Sequence, residues 1–436
     1  MLWKLRLPAG LALGLALIAP QAALGTGAGS FGSTGSMGAA RYAAVAAPLK
    51  DGRVLVAGGY YDGGGGDHYL ASAELFNPAT NTFSSAGIGA MSTPRRGAVA
   101  APLPDGSVLV AGGSYDDGTE HSLASAEVFN PATGAFTAVN DMGVPRVRAA
   151  SAPLSDGRVL VAGGNDGSTR LSSAEVFNPA TNGFTAVNDM GAPRARQAAV
   201  PLPDGRVLLV GGTNDAPLAS AEVFNAATNT FSSAGIGGMG TARRAPAAAP
   251  LPDGRVLVAG GSYDDPAERY LASAEVFTPA TNTFSSAGIG AMSTARTGAV
   301  AAPLPDGRVL VAGGFDGVTR FASAEIFAAA NAFSLAVRGR RLLVTVQATG
   351  KVSVSDAAAR LNASATKKKR RLLLKSPDAS GDPPTLAVRL HLSKLAKQRL
   401  RRTGRVAVKA RVTFEPQGGL ANTQTAKLRI KGKRKR

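Results

Sequence analysis

The chain reads as all-β: a six-bladed β-propeller over residues 26–336, then a small, strongly basic Ig-like β-sandwich over residues 337–436. Three observations predict this. An Asp-Gly pair set in one recurring phrase returns at Asp51-Gly52, Asp105-Gly106, Asp156-Gly157, Asp204-Gly205, Asp253-Gly254 and Asp306-Gly307, at intervals of 54, 51, 48, 49 and 53 residues. Each return is followed by Ser-Ala-Glu and a short apolar stretch ending in Phe, so every unit carries its strand-forming segments in the same order. From about Ala336 the phrase stops and short apolar–polar alternations replace it, the pattern of half-buried strands. A period of about fifty residues belongs to propellers. Such a unit cannot bury both faces of its sheet alone, so the units must stack around an axis.

Each unit opens with Met and, four residues on, Arg: Met37 and Arg41, Met91 and Arg95, Met142 and Arg146, Met190 and Arg194, Met239 and Arg243, Met292 and Arg296. A strand of small residues follows, such as Ala98-Val99-Ala100-Ala101, suited to the crowded inner edge of a ring. The Asp-Gly pair is expected to turn the chain through a positive-φ hairpin into a Val-Leu-Val strand. Gly58-Gly59 and its counterparts then end that strand where a close backbone approach or a bulge leaves no room for a side chain. After a variable loop come a third strand (Ala73-Glu74-Leu75-Phe76), an Asn-Pro-Ala-Thr turn in which Pro fixes φ and Asn caps its own backbone, and a short fourth strand around Phe83, Phe136, Phe184, Phe231, Phe284 and Phe333. Ser30-Phe31 ahead of Met37 copies the spacing of Phe136 to Met142, so an extra fourth strand precedes the first blade. Either Phe31 or Phe333 supplies the last strand of the closing blade. The count is six blades, or seven if one repeat is degenerate.

These residues resemble the kelch-repeat family, in the bacterial form also seen in the propeller of galactose oxidase. The resemblance covers about residues 31 to 336 and rests on Gly-Gly, the Met-to-Arg spacing and the Glu-Val-Phe strand in fixed order. It implies four antiparallel strands per blade and a ring closed by strands from the two chain ends. One departure is that family members often place Trp in the fourth strand, where every unit here has Phe. Copper oxidases with that propeller use two His and two Tyr, one Tyr cross-linked to Cys. This chain has no Cys and only His68, His121 and His391, the last outside the propeller, so the resemblance does not extend to that site. The sequence also lacks a Gly-x-Ser-x-Gly elbow, a phosphate-binding Gly loop ending in Lys-Ser/Thr, and a His-Glu-x-x-His motif. The expectation is a binding protein rather than an enzyme, with no cofactor and no metal.

Residues 1–25 read as a secretory signal peptide, with Lys4 and Arg6 ahead of an apolar run from Ala9 to Ala19 and small residues at Ala23-Leu24-Gly25. That run is short for a membrane span, and no second one follows. The mature chain is therefore expected to be secreted, extracellular and without a membrane span. Stability must come from strand packing, because no disulfide is available. The net charge of +19 is uneven: residues 336–436 hold 27 Lys and Arg against four acids, net +23, which leaves 21 against 25, net −4, for the rest. The basic portion is the second domain.

A four-stranded meander brings the connection between strands two and three to the same face as the connection into the next blade. That face then carries the candidate ligand-binding residues Tyr60, Tyr61, Asp62, His68, Tyr69, Tyr115, Asp116, Asp166, Asp215, Tyr263, Asp264 and Asp316. It also carries the ring Arg41, Arg95, Arg146, Arg194, Arg243 and Arg296, which is open to two readings. Arg forks bind carboxylates, phosphates or sugars, but each Arg has a strand-three Glu to pair with (Glu74, Glu127, Glu175, Glu222, Glu275, Glu325). The structural reading is preferred, because a residue present in all blades serves what all blades share. Ligand choice is expected in the loops, which differ between blades, with Tyr270 and the other tyrosines as rigid contact area. The run from Asp62 to Asp67 supplies oxygens but not the ligand series of an EF-hand loop, so no metal is assigned.

In the second domain, strands are expected at Leu342–Val346, Val352–Val354, Leu372–Leu374, Leu386–Leu392, Val406–Phe414 and Ala426–Ile430, with a short helix from Lys394 to Arg402 between Ser393 as N-cap and Gly404. Positive charge falls on alternate strand positions (Lys409, Arg411, Lys427, Arg429) and in the runs Lys367–Arg371 and Lys431–Arg436. An anionic surface polymer at the cell surface is the partner this suggests, set beside a face that only keeps the domain soluble. Nucleic acid is disfavoured, because Phe414 alone makes no stacking platform. Three functions follow: a secreted non-catalytic protein whose propeller recognises a glycan or protein, an extracellular enzyme with a loop-borne site, or a structural surface component.

Overall fold

Six four-stranded antiparallel sheets lie between residues 29 and 329 of a computed structural model. The structure describes residues 29–329 apart from 65, 265 and 266, and beyond them residues 333–338, 341–346, 350–356, 374–375, 378–381, 385–392, 394–403, 405–416 and 422–431. The leader read over residues 1–25 lies outside the described residues, as do the run from 367 to 371 and all of the last basic run except Lys431.

In the first blade the inner strand is Val45–Pro48, followed outward by Val54–Ala57, Ala73–Asn77 and Thr82–Ser84. Blades two to five repeat this with inner strands Val99–Pro102, Ala150–Pro153, Ala198–Pro201 and Ala247–Pro250, and Val300–Pro303 is the inner strand of the sixth. Each inner strand packs against the next, and the sixth against the first, so the ring closes at six. Small residues permit this: Ala47, Ala101, Ala152, Ala249 and Ala302 are buried where the strands converge.

The closing strand is supplied by Phe31 and not by Phe333. Gly29–Ser33 pairs with Ala324–Ala329, with Phe31 opposite Phe327 and their ring centroids 5.1 Å apart. Phe333 instead begins the strand Phe333–Arg338, which pairs with Arg341–Val346 in the second domain. A ring closed by a strand from the chain's far end cannot open without losing that whole ladder.

The core is divided among the gaps between blades. The fully buried Phe129 of blade two packs with Leu55, Ala57 and Leu75 of blade one, and equivalent clusters join every neighbouring pair around to Phe76 with Leu310 and Ile326. Each third-strand Phe also meets the fourth-strand Phe of its own blade, as Phe76 meets Phe83 at 4.9 Å, so Phe fills the volume that kelch repeats often give to Trp. A blade taken alone would expose one side of its core to water.

The Asp-Gly hairpin takes a different form from the one expected. Only Gly has positive φ (92° at Gly52), while Asp51 accepts a hydrogen bond from the Arg53 N–H at 3.0 Å and the Leu49 N–H donates to the Arg53 carbonyl at 2.8 Å. The turn is thus a three-residue loop closed by a glycine bulge, with Asp as its cap rather than as a left-handed residue.

In the second domain, one sheet orders Phe333–Arg338, Arg341–Val346 and Thr385–Arg389, and another orders Asp378–Gly381, Gly350–Asp356, Arg405–Pro416 and Asn422–Lys431. Leu342 and Val344 of the first share one buried core with Val352, Val354, Val412, Phe414 and Ile430 of the second. The helix Lys394–Thr403 covers that core with Ala396 and Leu400. Lys427 and Arg429 are exposed and Arg411 is half-buried, while Lys409 lies opposite Lys427 in the register.

Candidate functional site

The six repeated arginines are buried between blades, 1–4% exposed, and do not line an open mouth. Arg146 shows the pattern. Its backbone N–H donates to the Leu123 carbonyl of the preceding blade and its carbonyl accepts from Gly113 of that blade, while its guanidinium reaches into its own blade. There Nη1 donates to the carbonyls of Gly163 and Ser173 at 3.0 and 2.8 Å, and Nη2 donates to Ser173 Oγ and Glu175 Oε1 at 3.0 and 3.1 Å. The same arrangement recurs for Arg41 with Glu74, Arg95 with Glu127, Arg194 with Glu222, Arg243 with Glu275 and, most loosely at 3.4 Å, Arg296 with Glu325. Burial pushes the Arg146 guanidinium below its ordinary pKa, and the Glu175 carboxylate acts against that shift. A planar fork with five donors suits this seam, where four acceptors lie around one buried cation.

The Gly-Gly pair makes the seam possible. A Cβ on Gly58 (φ 66°) would come within 2.5 Å of the Arg95 carbonyl oxygen, the acceptor that Gly59 bonds at 2.8 Å.

Past Gly-Gly the variable connections are not irregular loops in every blade. Strands two and three continue as two-stranded ribbons: Tyr60–Asp62 with Asp67–Tyr69, Ser114–Asp116 with Glu120–Ser122, and Ser262–Asp264 with Glu268–Tyr270. Blade four has a shorter ribbon, and blades three and six keep single bridges, Asn165 to Arg170 and Phe315 to Arg320. Side chains that alternate along the ribbons bring Tyr61 onto His68 at 5.0 Å and Tyr115 onto His121 at 4.8 Å, both stacked. His121 also meets Asp117 at 3.1 Å.

The predicted ligand residues fall into separate groups on this face. Tyr60 is buried (7% exposed) and stacks on Tyr69, next to Tyr42 and, through it, Phe315. Arg96 and Arg320 lie over these rings, with Arg320 Cζ 4.8 Å from the Tyr60 centroid. Asp62 and Asp67 both face Arg320, at 3.6 and 2.9 Å, so an arginine of blade six occupies the cation position between them. Tyr270 donates to Glu268 at 3.1 Å and its phenol is raised to about 12, first by burial and then by that carboxylate. Tyr263 is half-buried on its ribbon, and Asp264 binds Arg244 at 2.6 Å. Asp116, Asp166 and Asp316 cap their own turns through the N–H groups of Gly118, Thr169 and Thr319. Asp215 pairs with Arg170 of the neighbouring blade at 2.6 Å.

Sequence reasoning missed a second set of arginines. Two residues after each seam Arg stand Ala43, Gly97, Arg148, Arg196, Ala245 and Gly298, all with φ between 50° and 60°. Their backbones form a closed circle around the axis: Gly97 N–H donates to Ala43, Arg148 to Gly97, Arg196 to Arg148, Ala245 to Arg196, Gly298 to Ala245 and Ala43 to Gly298, at 2.6–3.3 Å. Above this collar a cleft of about 310 Å³ is lined by Arg148, Arg196, Arg170 and Arg244 with Glu120 and Asp215. The signal was present in the repeats: at a position otherwise held by Ala or Gly, two units carry Arg.

Residues for a copper-radical centre are not assembled here. The chain has no Cys for the cross-link, His68 and His121 sit on ribbons of different blades, and the described residues hold no cluster of three or more His, Cys, Asp or Glu able to bind a metal ion.

A family model for the kelch motif matches residues 146–191 and 243–288. A comparison with curated proteins found no match to the chain in sequence. Among solved structures, a fungal alcohol oxidase of the AA5 family, in complex with copper, is similar in fold at a TM-score of 0.53 and 15% identity, over 92% of this chain and 99% of that one. The two motif matches each span a seam Arg, its Gly-Gly pair and its strand-three Glu, in a ring of six such units; the chain is a six-bladed β-propeller with kelch motifs in its third and fifth blades, whose fold is similar to that of the AA5 alcohol oxidase.

Proposed function

We propose that the chain is an exported, non-catalytic binding protein that recognises a glycan or protein on the ribbon face of its propeller. The observation that carries this reading is how the face is divided. Residues common to all blades, the seam arginines and their glutamates, are buried, whereas the exposed side chains of the ribbons differ from blade to blade. Variable side chains on a fixed scaffold are the usual arrangement of a recognition surface. Tyr61 on His68 and Tyr115 on His121 present flat amphipathic rings on strands already paired, so little freedom is lost when a ligand packs on them.

The leader-like first 25 residues support export, and the exposed Lys427 and Arg429 support attachment to an anionic surface polymer through the second domain. No helix among the described residues is long and apolar enough to cross a membrane.

Glycan-array and pull-down binding of the full chain, compared with Tyr61→Ala and Tyr115→Ala, tests the reading. Signal that falls roughly tenfold or more in these variants supports it. Signal that survives them and vanishes in high salt assigns binding to the basic domain instead. A second reading, an extracellular enzyme with its site on the ribbons, draws on the alcohol-oxidase likeness; turnover of any alcohol or sugar that is lost in His68→Ala or His121→Ala would favour it.

A further inference from the structure

Among the arginines lining the cleft above the axial collar, Arg148 and Arg196 stand apart. Arg170 is held by Asp215 at 2.6 Å, and Arg244 by Asp264 at 2.6 Å; at the rim Arg96 is held by Glu120 at 2.7 Å. The Arg148 and Arg196 side chains make no hydrogen bond or ion pair with any described residue. Burial, and then the like charge of Arg196, push the Arg148 guanidinium below its ordinary value. Glu120 and Asp215 in the same cleft are taken up by Arg96 and Arg170, so two cations without a carboxylate bonded to them share a partly enclosed site, a standing cost to the fold.

The fold does not need them. The collar is a backbone device, and Gly97, Gly298, Ala43 and Ala245 complete it without a guanidinium. Left-handed φ of 57° and 59° is a conformation that long side chains rarely adopt, so these two positions combine backbone strain with charge crowding. Such combinations concentrate where a ligand is bound.

We propose that this cleft binds a sugar acid, with its carboxylate held by Arg148 and Arg196 and its hydroxyls by the polar groups around them. The proposal deepens the reading of the ribbon face as a glycan-binding surface and rests on it. The volume, about 310 Å³, lies at the small end of ligand pockets and suits a single saccharide unit with the remainder of the chain outside. Glu120, Asp215, Ser122 and Asn165 line the same cleft and offer acceptors and donors to hydroxyl groups. The carboxylates Glu120 and Asp215, with Asp116 and Asp117 exposed on the blade-two ribbon, disfavour a run of negative charge such as an acidic peptide or a nucleic acid, and leave one isolated carboxylate surrounded by hydroxyls.

The test uses the full chain, saturation-transfer NMR and calorimetry at about 0.15 M salt, with D-glucuronate and D-galacturonate against D-glucose and D-galactose. Each uronate is expected to bind roughly tenfold or more tighter than its neutral parent. In the Arg148→Gly/Arg196→Gly variant that preference should disappear while the thermal midpoint stays equal or rises, since Gly is the residue found at Gly97 and Gly298. Should the glycine variant fold poorly, Arg148→Gln/Arg196→Gln gives the same readout. Uronates that bind no better than neutral sugars, a preference that persists in a folded variant, or an Asp-rich peptide that outcompetes uronate would each overturn the proposal. Binding of neutral glycans or protein that depends on Tyr61 and Tyr115 but ignores uronates would remove this inference and leave the ribbon-face reading standing; a ribbon face that binds nothing removes both.

Discussion

Arg146 joins two blades with one residue: its carbonyl accepts from Gly113 of blade two at 2.8 Å, and its guanidinium meets Glu175 of blade three at 3.1 Å. Repeated six times, this contact turns weakly cohesive sheets into a ring. A buried pair of this kind costs desolvation when formed and more when broken, because a lone charge is left behind.

Arg146→Ala is therefore expected to destabilise the propeller by about 3–5 kcal/mol, and Arg146→Lys by a large part of that, because an ammonium cannot serve four acceptors in a plane. Denaturant unfolding measures both. The double variant Arg146→Ala/Glu175→Gln should cost less than the sum of the singles, and strict additivity would contradict the pairing.

Gly58 and Gly64 separate backbone strain from crowding. Both have positive φ, 66° and 80°, but a Cβ at Gly58 would strike the Arg95 carbonyl, whereas nothing lies within 4 Å at Gly64. Gly64→Ala should cost about 1 kcal/mol and Gly58→Ala distinctly more, with thermal unfolding as the measure. Equal losses would mean that the seam can give way.

Removal of residues 1–34 deletes the ladder between Gly29–Ser33 and Ala324–Ala329 and leaves the third strand of blade six as an edge. The truncated chain should unfold at lower temperature and associate through that edge, visible in size-exclusion chromatography and faster proteolysis. Phe31→Ala alone should cost about 2–3 kcal/mol.

The pH profile follows from the turns. Asp51 and Asp156 are held below the usual carboxylate value, first by hydrogen bonds from Arg53 and Arg158, and Asp166 and Asp316 by the N–H groups of Thr169 and Thr319. A depressed carboxylate stabilises the fold above its unfolded pKa, and this is lost as pH falls through the folded value. Tyr270, raised to about 12, works in the opposite sense: its contribution is present below its unfolded pKa and disappears as pH climbs towards 12. Thermal midpoints should hold from roughly pH 5 to 9 and fall outside it. A decline already between pH 7 and 5 would point to groups other than these.

Much of the architecture was legible in the chain because propeller repeats are local statements made six times. The Asp-Gly turn, the Gly-Gly stop, the Glu-Val-Phe strand and the Arg–Glu pairing all recur at fixed offsets, so each repeat checks the others. The closing strand was less legible: Phe31 and Phe333 fit the pattern equally well as sequence, and only the pairing of Phe31 with Phe327 decides between them. The ribbons beyond Gly-Gly were read as loops because three-residue strands such as Tyr60–Asp62 have too few positions to show an alternation.

What the sequence determined unaided is the repeating part, a ring of similar units with the same strands in the same order, because periodicity states each unit six times over; closure at six blades and the burial of the six seam arginines came from the structure. What only the tertiary structure decided is the exceptional part: that Arg148 and Arg196, 48 residues apart, stand beside each other in one hydrogen-bonded collar and face one cleft. Position in a repeat tells where a residue sits within its blade, but the ring alone brings equivalent positions of different blades to a common axis, and there their charges add.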